Sequence, residues 1–175
     1  MSIQRAGGRA WRGRWKGLAL AAIATATLTL AGCGISIPAD PDGTLDRVRG
    51  GELRIGVSPN GEFVNVEPDA GGDPTGNEVE AISAFAESID ARPVLTTGSE
   101  ESLVRSLEDG GLDIIAGGLT EDTPWSDRAG VTRPYAEVAE GDEAVKIVML
   151  VPRGENAFLS QLETFLSAYV AEDER

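Results

Sequence analysis

A doubly wound α/β domain, with a mostly parallel sheet flanked by helices, is the fold class the sequence predicts. Three features predict it. Short strand-like runs alternate with amphipathic helical segments from residue 52 to residue 116. The runs Leu112–Ala116 and Val145–Val151 are almost wholly apolar and too short for helices, as strands buried on both faces are. A long segment with a broad apolar face follows near the C-terminus, and it suits a helix that covers a sheet.

The elements follow in order. Thr44–Val48 can form one helical turn, which Gly50-Gly51 ends. Glu52–Val57 alternates apolar and other residues and reads as the first strand. Pro59-Asn60-Gly61 breaks it, and Phe63–Val66 is a short extended piece. A helix is expected from Asn77 to Ile89, with Val79, Ile82, Phe85, Ala86 and Ile89 on one face. Arg92–Thr96 reads as the second strand. Ser99 suits the N-cap of a helix Glu100–Glu108 that buries Leu103, Val104 and Leu107. Leu112–Ala116 is the third strand, Gly117–Tyr135 a loop, and Val145–Val151 a central strand behind an acidic connector. Asn156 can cap the last helix, whose apolar face carries Phe158, Leu159, Leu162, Phe165, Leu166, Tyr169 and Val170.

The first 32 residues stand apart. Arg5, Arg9, Arg12, Arg14 and Lys16 form a basic segment, an apolar run from Gly17 to Leu30 follows, and small residues lead to Cys33. This order describes a secretory signal peptide, and the run falls short of the roughly 20 apolar residues that span a bilayer. Cys33 is the one cysteine, so an internal disulfide is excluded. The expected organisation is therefore a leader over 1–32, a Pro- and Gly-containing tether over 33–43, a domain over 44–171 and a charged tail over 172–175.

Composition narrows the function. The chain carries 15 Lys and Arg against 29 Asp and Glu, a net charge of −14, and removing the leader deepens this to near −19. Such a surface repels nucleic-acid phosphates and anionic headgroups. There is no histidine, the commonest general base. No phosphate-binding glycine motif or nucleophile elbow appears, so neither an enzyme nor a cofactor is expected. The acids Asp69, Asp73 and Glu78 with Asn77 do not follow calcium-loop spacing, and no metal site is expected.

Four stretches resemble the extracellular solute-binding proteins of family 3, receptors that deliver polar amino acids and related solutes to ABC importers. Thr44–Val48 through Gly51–Val57 is similar to that family's opening segment and first strand. Pro74–Glu80 resembles its Gly-Phe-Asp-Val-Asp helix start, with Glu80 as the helix-start acid. Leu107–Gly118 resembles the stretch where a helix ends at glycine and an Asp leads the third strand. Thr123-Pro124 and Arg133-Pro134-Tyr135 resemble the threonine-proline loop and the Pro-Tyr before the hinge. Leu30-Ala31-Gly32-Cys33 resembles a lipobox, which implies acylation of Cys33 and anchoring of an extracytoplasmic protein to a membrane by its lipid alone.

The resemblance implies one lobe of a type II periplasmic-binding-protein-like fold. It also implies a site for a small polar, amino-acid-like solute, with an ABC permease as a possible partner. Members have two lobes that close on the ligand; here a connector, one strand and one helix follow Tyr135. Half a cleft gives little enclosure, so a homodimer or another partner supplying the second wall is expected.

The family holds a ligand carboxylate with loop amides and an arginine three positions after the loop threonine. Here Ser126 stands at that position after Thr123, and Arg128 lies two residues further on. Arg128 either reaches the ligand or is a surface arginine paired with Asp127. Gly117, Gly118, Leu119 and Thr120 follow the third strand, where ligands bind in open α/β sheets; the glycines either admit a ligand or make a plain turn. Phe63 and Trp125 either line the crevice or pack in the core. The receptor reading is expected to fail if the crevice edge is plugged by the protein's own side chains with Arg128 turned away from it. The alternatives are a surface interaction module on the same scaffold and a truncated relative that binds nothing.

Overall fold

The computed structural model describes residues 40–61, 63–66, 72–140 and 143–173. The expected leader, Cys33 and most of the expected tether lie outside the described residues. The elements are α1 (Thr44–Val48), β1 (Glu52–Val57), α2 (Asn77–Ser88), β2 (Arg92–Thr97), α3 (Glu100–Glu108), β3 (Ile114–Thr120), β4 (Gly130–Val131), β5 (Ala136–Glu140), β6 (Glu143–Val151) and α4 (Asn156–Asp173).

One six-stranded sheet runs in the order β2-β1-β3-β6-β4, with β5 also paired to β6. β1 pairs in parallel with β2 and β3, whereas β6 runs antiparallel to β3, β4 and β5. Five strands therefore share one direction and β6 alone opposes them, in a mostly parallel sheet flanked by helices. β2 lies at an edge, which is why Pro93 is tolerated within it.

Helices cover both faces, and the alternation of strand side chains sends residues to each. Leu53, Ile55, Val57, Ile114, Ala116, Met149 and Val151 join one cluster with Phe85 of α2 and Phe158, Leu162 and Leu166 of α4. Ile115, Leu119, Val148 and Leu150 point the other way and join Leu103, Val104 and Leu107 of α3. In β6 the residues from Val148 to Val151 alternate strictly between the two clusters, as a period of two requires. Phe85 lies 6.1 Å from the ring of Phe158 and 5.4 Å from that of Phe165, both tilted.

Several boundaries differ from expectation. β3 extends to Thr120, so Gly117–Thr120 belong to the strand and not to a loop beyond it. Gly130–Val131 and Ala136–Glu140, read as loop and acidic connector, pair with β6 along its outer edge. Their alternation is too short or too acidic to stand out; a neighbour with free backbone groups supplies the stability. Residues just before Thr44 are also tied into the fold. One Asp40 oxygen accepts from the Ala157 and Phe158 amides at 2.8 and 3.0 Å, and the other accepts from the Leu45 amide at 2.9 Å. Glu155, buried just before α4, in turn accepts from the Asp42 and Thr44 amides at 2.9 and 2.8 Å. Each end of the domain thus caps the helix at the other, a long-range exchange that local composition does not reveal.

Candidate functional site

The upper, C-terminal edge of the parallel strands is organised by Glu78. This residue sits in the first turn of α2, four and seven positions before Ile82 and Phe85, and so shares their buried stripe. One carboxylate oxygen accepts from the Gly118 amide at 2.7 Å, and the other accepts from the Tyr135 hydroxyl. Burial pushes the Glu78 carboxyl above its ordinary range; hydrogen bonds from Tyr135, Gly118 and Gly117 offset part of that rise. Burial, and then the neighbouring Glu78 charge, push the Tyr135 phenol upward as well.

Asn60 donates to the Gly117 carbonyl at 3.0 Å. Gly118 adopts φ +63°, and a Cβ there would lie 2.6 Å from Cδ2 of Phe63. A Cβ on Gly117 would lie 2.7 Å from Ser58. The close approach these two glycines permit is taken up by Ser58, Asn60 and Phe63, and the Gly118 amide is taken by Glu78. This edge is therefore filled by the protein's own groups.

A cavity of about 290 Å³ opens beside it, between the start of α2, β5 and the last turns of α4. Phe63, Glu78, Glu80, Tyr135 and Tyr169 line it, with Leu166, Val138 and Val170 as hydrocarbon wall. Glu80, expected as a helix-start acid, stands in the first turn of α2 and on the cavity rim.

Of the residues expected at a ligand, only Phe63 lines this cavity. Leu119 is buried in the α3-side cluster. Thr120 accepts the Thr123 amide at 3.0 Å, and buried Thr123 accepts the Trp125 amide through Oγ1 at 3.4 Å. Trp125 packs on the α3-side cluster and donates from Nε1 to Glu100 at 2.9 Å. Arg128 is bound to Glu108 at the far end of α3, donating from Nε at 2.9 Å, with its guanidinium 5.5 Å from the Trp125 ring centre. Asp127 is not its partner, and that pairing removes Arg128 from the expected carboxylate clamp. The receptor reading therefore fails in the form that places a carboxylate on Arg128 and the glycine amides.

Arg128 instead lines a second cavity of about 390 Å³ at the opposite edge of the sheet, together with Arg47, Arg54, Asp113 and Arg153. Asp113, its side chain fully buried, accepts from Arg54 Nη2 at 2.7 Å and from Arg47 Nη2 at 2.6 Å. Burial alone would raise its carboxyl; the hydrogen bonds from Arg54 and Arg47 outweigh this and hold it below the ordinary range. Among the described residues no group of carboxylates is arranged to hold a metal ion.

Sequence reasoning missed Glu78 and Tyr135 as site residues. The signal for Glu78 was present: an acid continuing the apolar stripe of a helix that is otherwise buried. Tyr135 stood in the Pro-Tyr pair, read there as a marker of the hinge.

Solved structures share the fold. The arginine-bound form of domain 1 from TmArgBP superposes with a TM-score of 0.59 at 20% identity, covering 69% of this chain and 94% of that one. The unliganded L-cystine solute receptor of Neisseria gonorrhoeae gives 0.61 at 13% identity, over 74% and 91%. An ancestral cyclohexadienyl dehydratase, AncCDT-3, gives 0.61 at 16%, over 74% and 92%. No curated protein sequence matches the chain. A family model matches residues 53–175, from β1 through α4. On that match, the chain belongs to the bacterial extracellular solute-binding proteins, family 3.

Proposed function

We propose that this protein is an extracytoplasmic solute receptor, anchored to a membrane through an acylated Cys33, that takes an amino acid or a similar small polar solute for an ABC importer. The observation that carries the reading is the cavity at the C-terminal edge of the sheet. It joins two carboxylates, three aromatic rings and a hydrocarbon wall where open α/β sheets bind ligands. Family membership supports a binding role. The domain 1 structure of TmArgBP, bound to arginine, gives a precedent for a ligand on one domain of that other protein. Because AncCDT-3 has a similar fold, the non-enzymatic reading rests on side-chain chemistry and not on architecture.

The cavity is lined from one domain alone, by the start of α2, by β5 and by the last turns of α4. Calorimetric titration of the purified chain with a panel of amino acids and their amine and amide derivatives tests the proposal. Heat of binding at micromolar to millimolar ligand is expected; silence across the panel overturns it.

A second reading, a surface interaction module on the same scaffold, is favoured by one observation. The Gly118 amide, the Gly117 carbonyl and the space that the two glycines leave are taken internally by Glu78, Asn60 and Phe63.

A further inference from the structure

We infer that the cavity beside Glu78 takes an organic cation recognised through its amine or guanidine and hydrocarbon, with no carboxylate anchor. The inference rests on the receptor proposal above and names the chemical class of its solute.

Among the described residues the lining carries two acidic side chains, Glu78 and Glu80, and no lysine or arginine. Guanidinium groups elsewhere are already engaged: Arg128 with Glu108, Arg47 and Arg54 with Asp113, and Arg133 with Glu163. The Gly118 amide is held by Glu78. A ligand carboxylate entering here would find neither a guanidinium nor that amide, and it would meet two like charges. A cation meets the reverse. Glu78 is buried, and its partners are the neutral Tyr135 hydroxyl and the Gly118 amide, so an ammonium would supply its missing countercharge. Phe63, Tyr135 and Tyr169 line the same cavity, which puts aromatic side chains beside a bound cation and its methylenes. At about 290 Å³ the space suits a small alkylamine. The net charge of −14 draws cations toward the surface from a distance.

Two matched pairs isolate the carboxylate: agmatine against arginine, and cadaverine against lysine. Each pair keeps the cationic head and differs at the carboxylate. Titrated calorimetrically into the full chain, the decarboxylated member of each pair is expected to bind about tenfold tighter than its parent. Equal or tighter binding of arginine and lysine overturns the inference and leaves the receptor proposal standing. Silence for all four, and for neutral and acidic amino acids, overturns both. Glu80→Gln, a rim substitution outside the core, is expected to weaken agmatine about fivefold. Unchanged affinity in a variant with an unaltered circular dichroism spectrum overturns the assignment to this cavity.

Discussion

Glu78 and Tyr135 meet across the domain, one from the first turn of α2 and the other from the segment that leads into β5, and their hydrogen bond is made to a carboxylate with no cation beside it among the described residues. The Gly118 amide completes the arrangement, so three separate parts of the chain converge on one buried acid.

This convergence sets a pH dependence. The Glu78 carboxyl is raised in the folded protein, so the native state holds its proton at higher pH than the unfolded chain does. Stability therefore increases as pH falls through the folded value and levels off near the unfolded value of about 4.3. Asp113 acts oppositely. Its carboxyl is lowered, so its contribution is complete above about 3.9 and disappears as pH falls through the folded value. Urea midpoints measured from pH 7 downward are expected to rise towards pH 4–5 and then fall. Glu78→Gln should abolish the rise and retain the acid loss; a monotonic profile in the parent protein contradicts this assignment.

Removal of the hydroxyl isolates the same contact. Tyr135→Phe leaves one Glu78 oxygen without its donor, and a lost hydrogen bond to a charged group costs about 2 kcal/mol. Chemical denaturation at pH 7 should show that loss. It should shrink at pH 4, where the carboxyl is neutral in the folded state more often. A neutral effect at pH 7 would mean that water replaces the phenol.

How far this site was legible in the sequence depends on the range of each interaction. The alternating and helical patterns of Glu52–Ile89 and Glu100–Ala116 marked β1, α2, α3 and the start of β3, because side-chain period is a local property. Ser99 was legible as a cap for the same reason, and its hydroxyl accepts the Ser102 amide at 3.4 Å. β4 and β5 were not, since they are strands only because β6 lies beside them. Arg128 was placed by analogy with a loop position, yet the choice between a ligand and Glu108 is made by α3, twenty residues earlier in the chain. Gly117 and Gly118 announced a close approach without saying what approaches. The structure answers with Ser58, Asn60 and Phe63.

Gly118→Ala tests that answer. At φ +63° an alanine is strained, and its methyl would press on Asn60 and on the Phe63 ring, 2.6 Å away. Left-handed strain of about 1 kcal/mol and overpacking of about 1–3 kcal/mol predict a substantial fall in melting temperature. Phe63→Ala in the same chain should recover part of it, because the ring is one of the two groups displaced. Additive losses in the double variant would show that the methyl and the ring do not meet.

The exchange of caps between Asp40 and Glu155 predicts coupling between two ends of the domain. Asp40→Ala removes the acceptor for the Ala157, Phe158 and Leu45 amides, and loss of a helix cap costs about 1 kcal/mol. Glu155→Ala should cost more, about 2 kcal/mol, because the Thr44 amide it leaves behind is buried. The double variant is expected to lose less than the sum, since either change alone already loosens α1 from the start of α4. Strict additivity would mean that the two helix ends behave independently.

The last helix bears on whether a single domain of this kind can stand alone. Phe158 and Leu162 of α4 are fully buried and Leu166 nearly so, all against the sheet face that carries Met149, Val151 and Ile114. Phe158 also meets Phe85, which ties α4 to α2. Ending the chain after Pro152 would expose this face, and it would delete Glu155 together with the amides that Asp40 caps. Three buried side chains at about 2–5 kcal/mol each exceed or match the whole stability of a typical domain, about 5–15 kcal/mol. The truncated chain is therefore expected to show no cooperative melt, whereas Phe158→Ala should retain one at a stability lower by about 3–5 kcal/mol. A truncated chain that melts like the parent would make α4 a peripheral addition, and the sheet would then have to be stable with one face open to water.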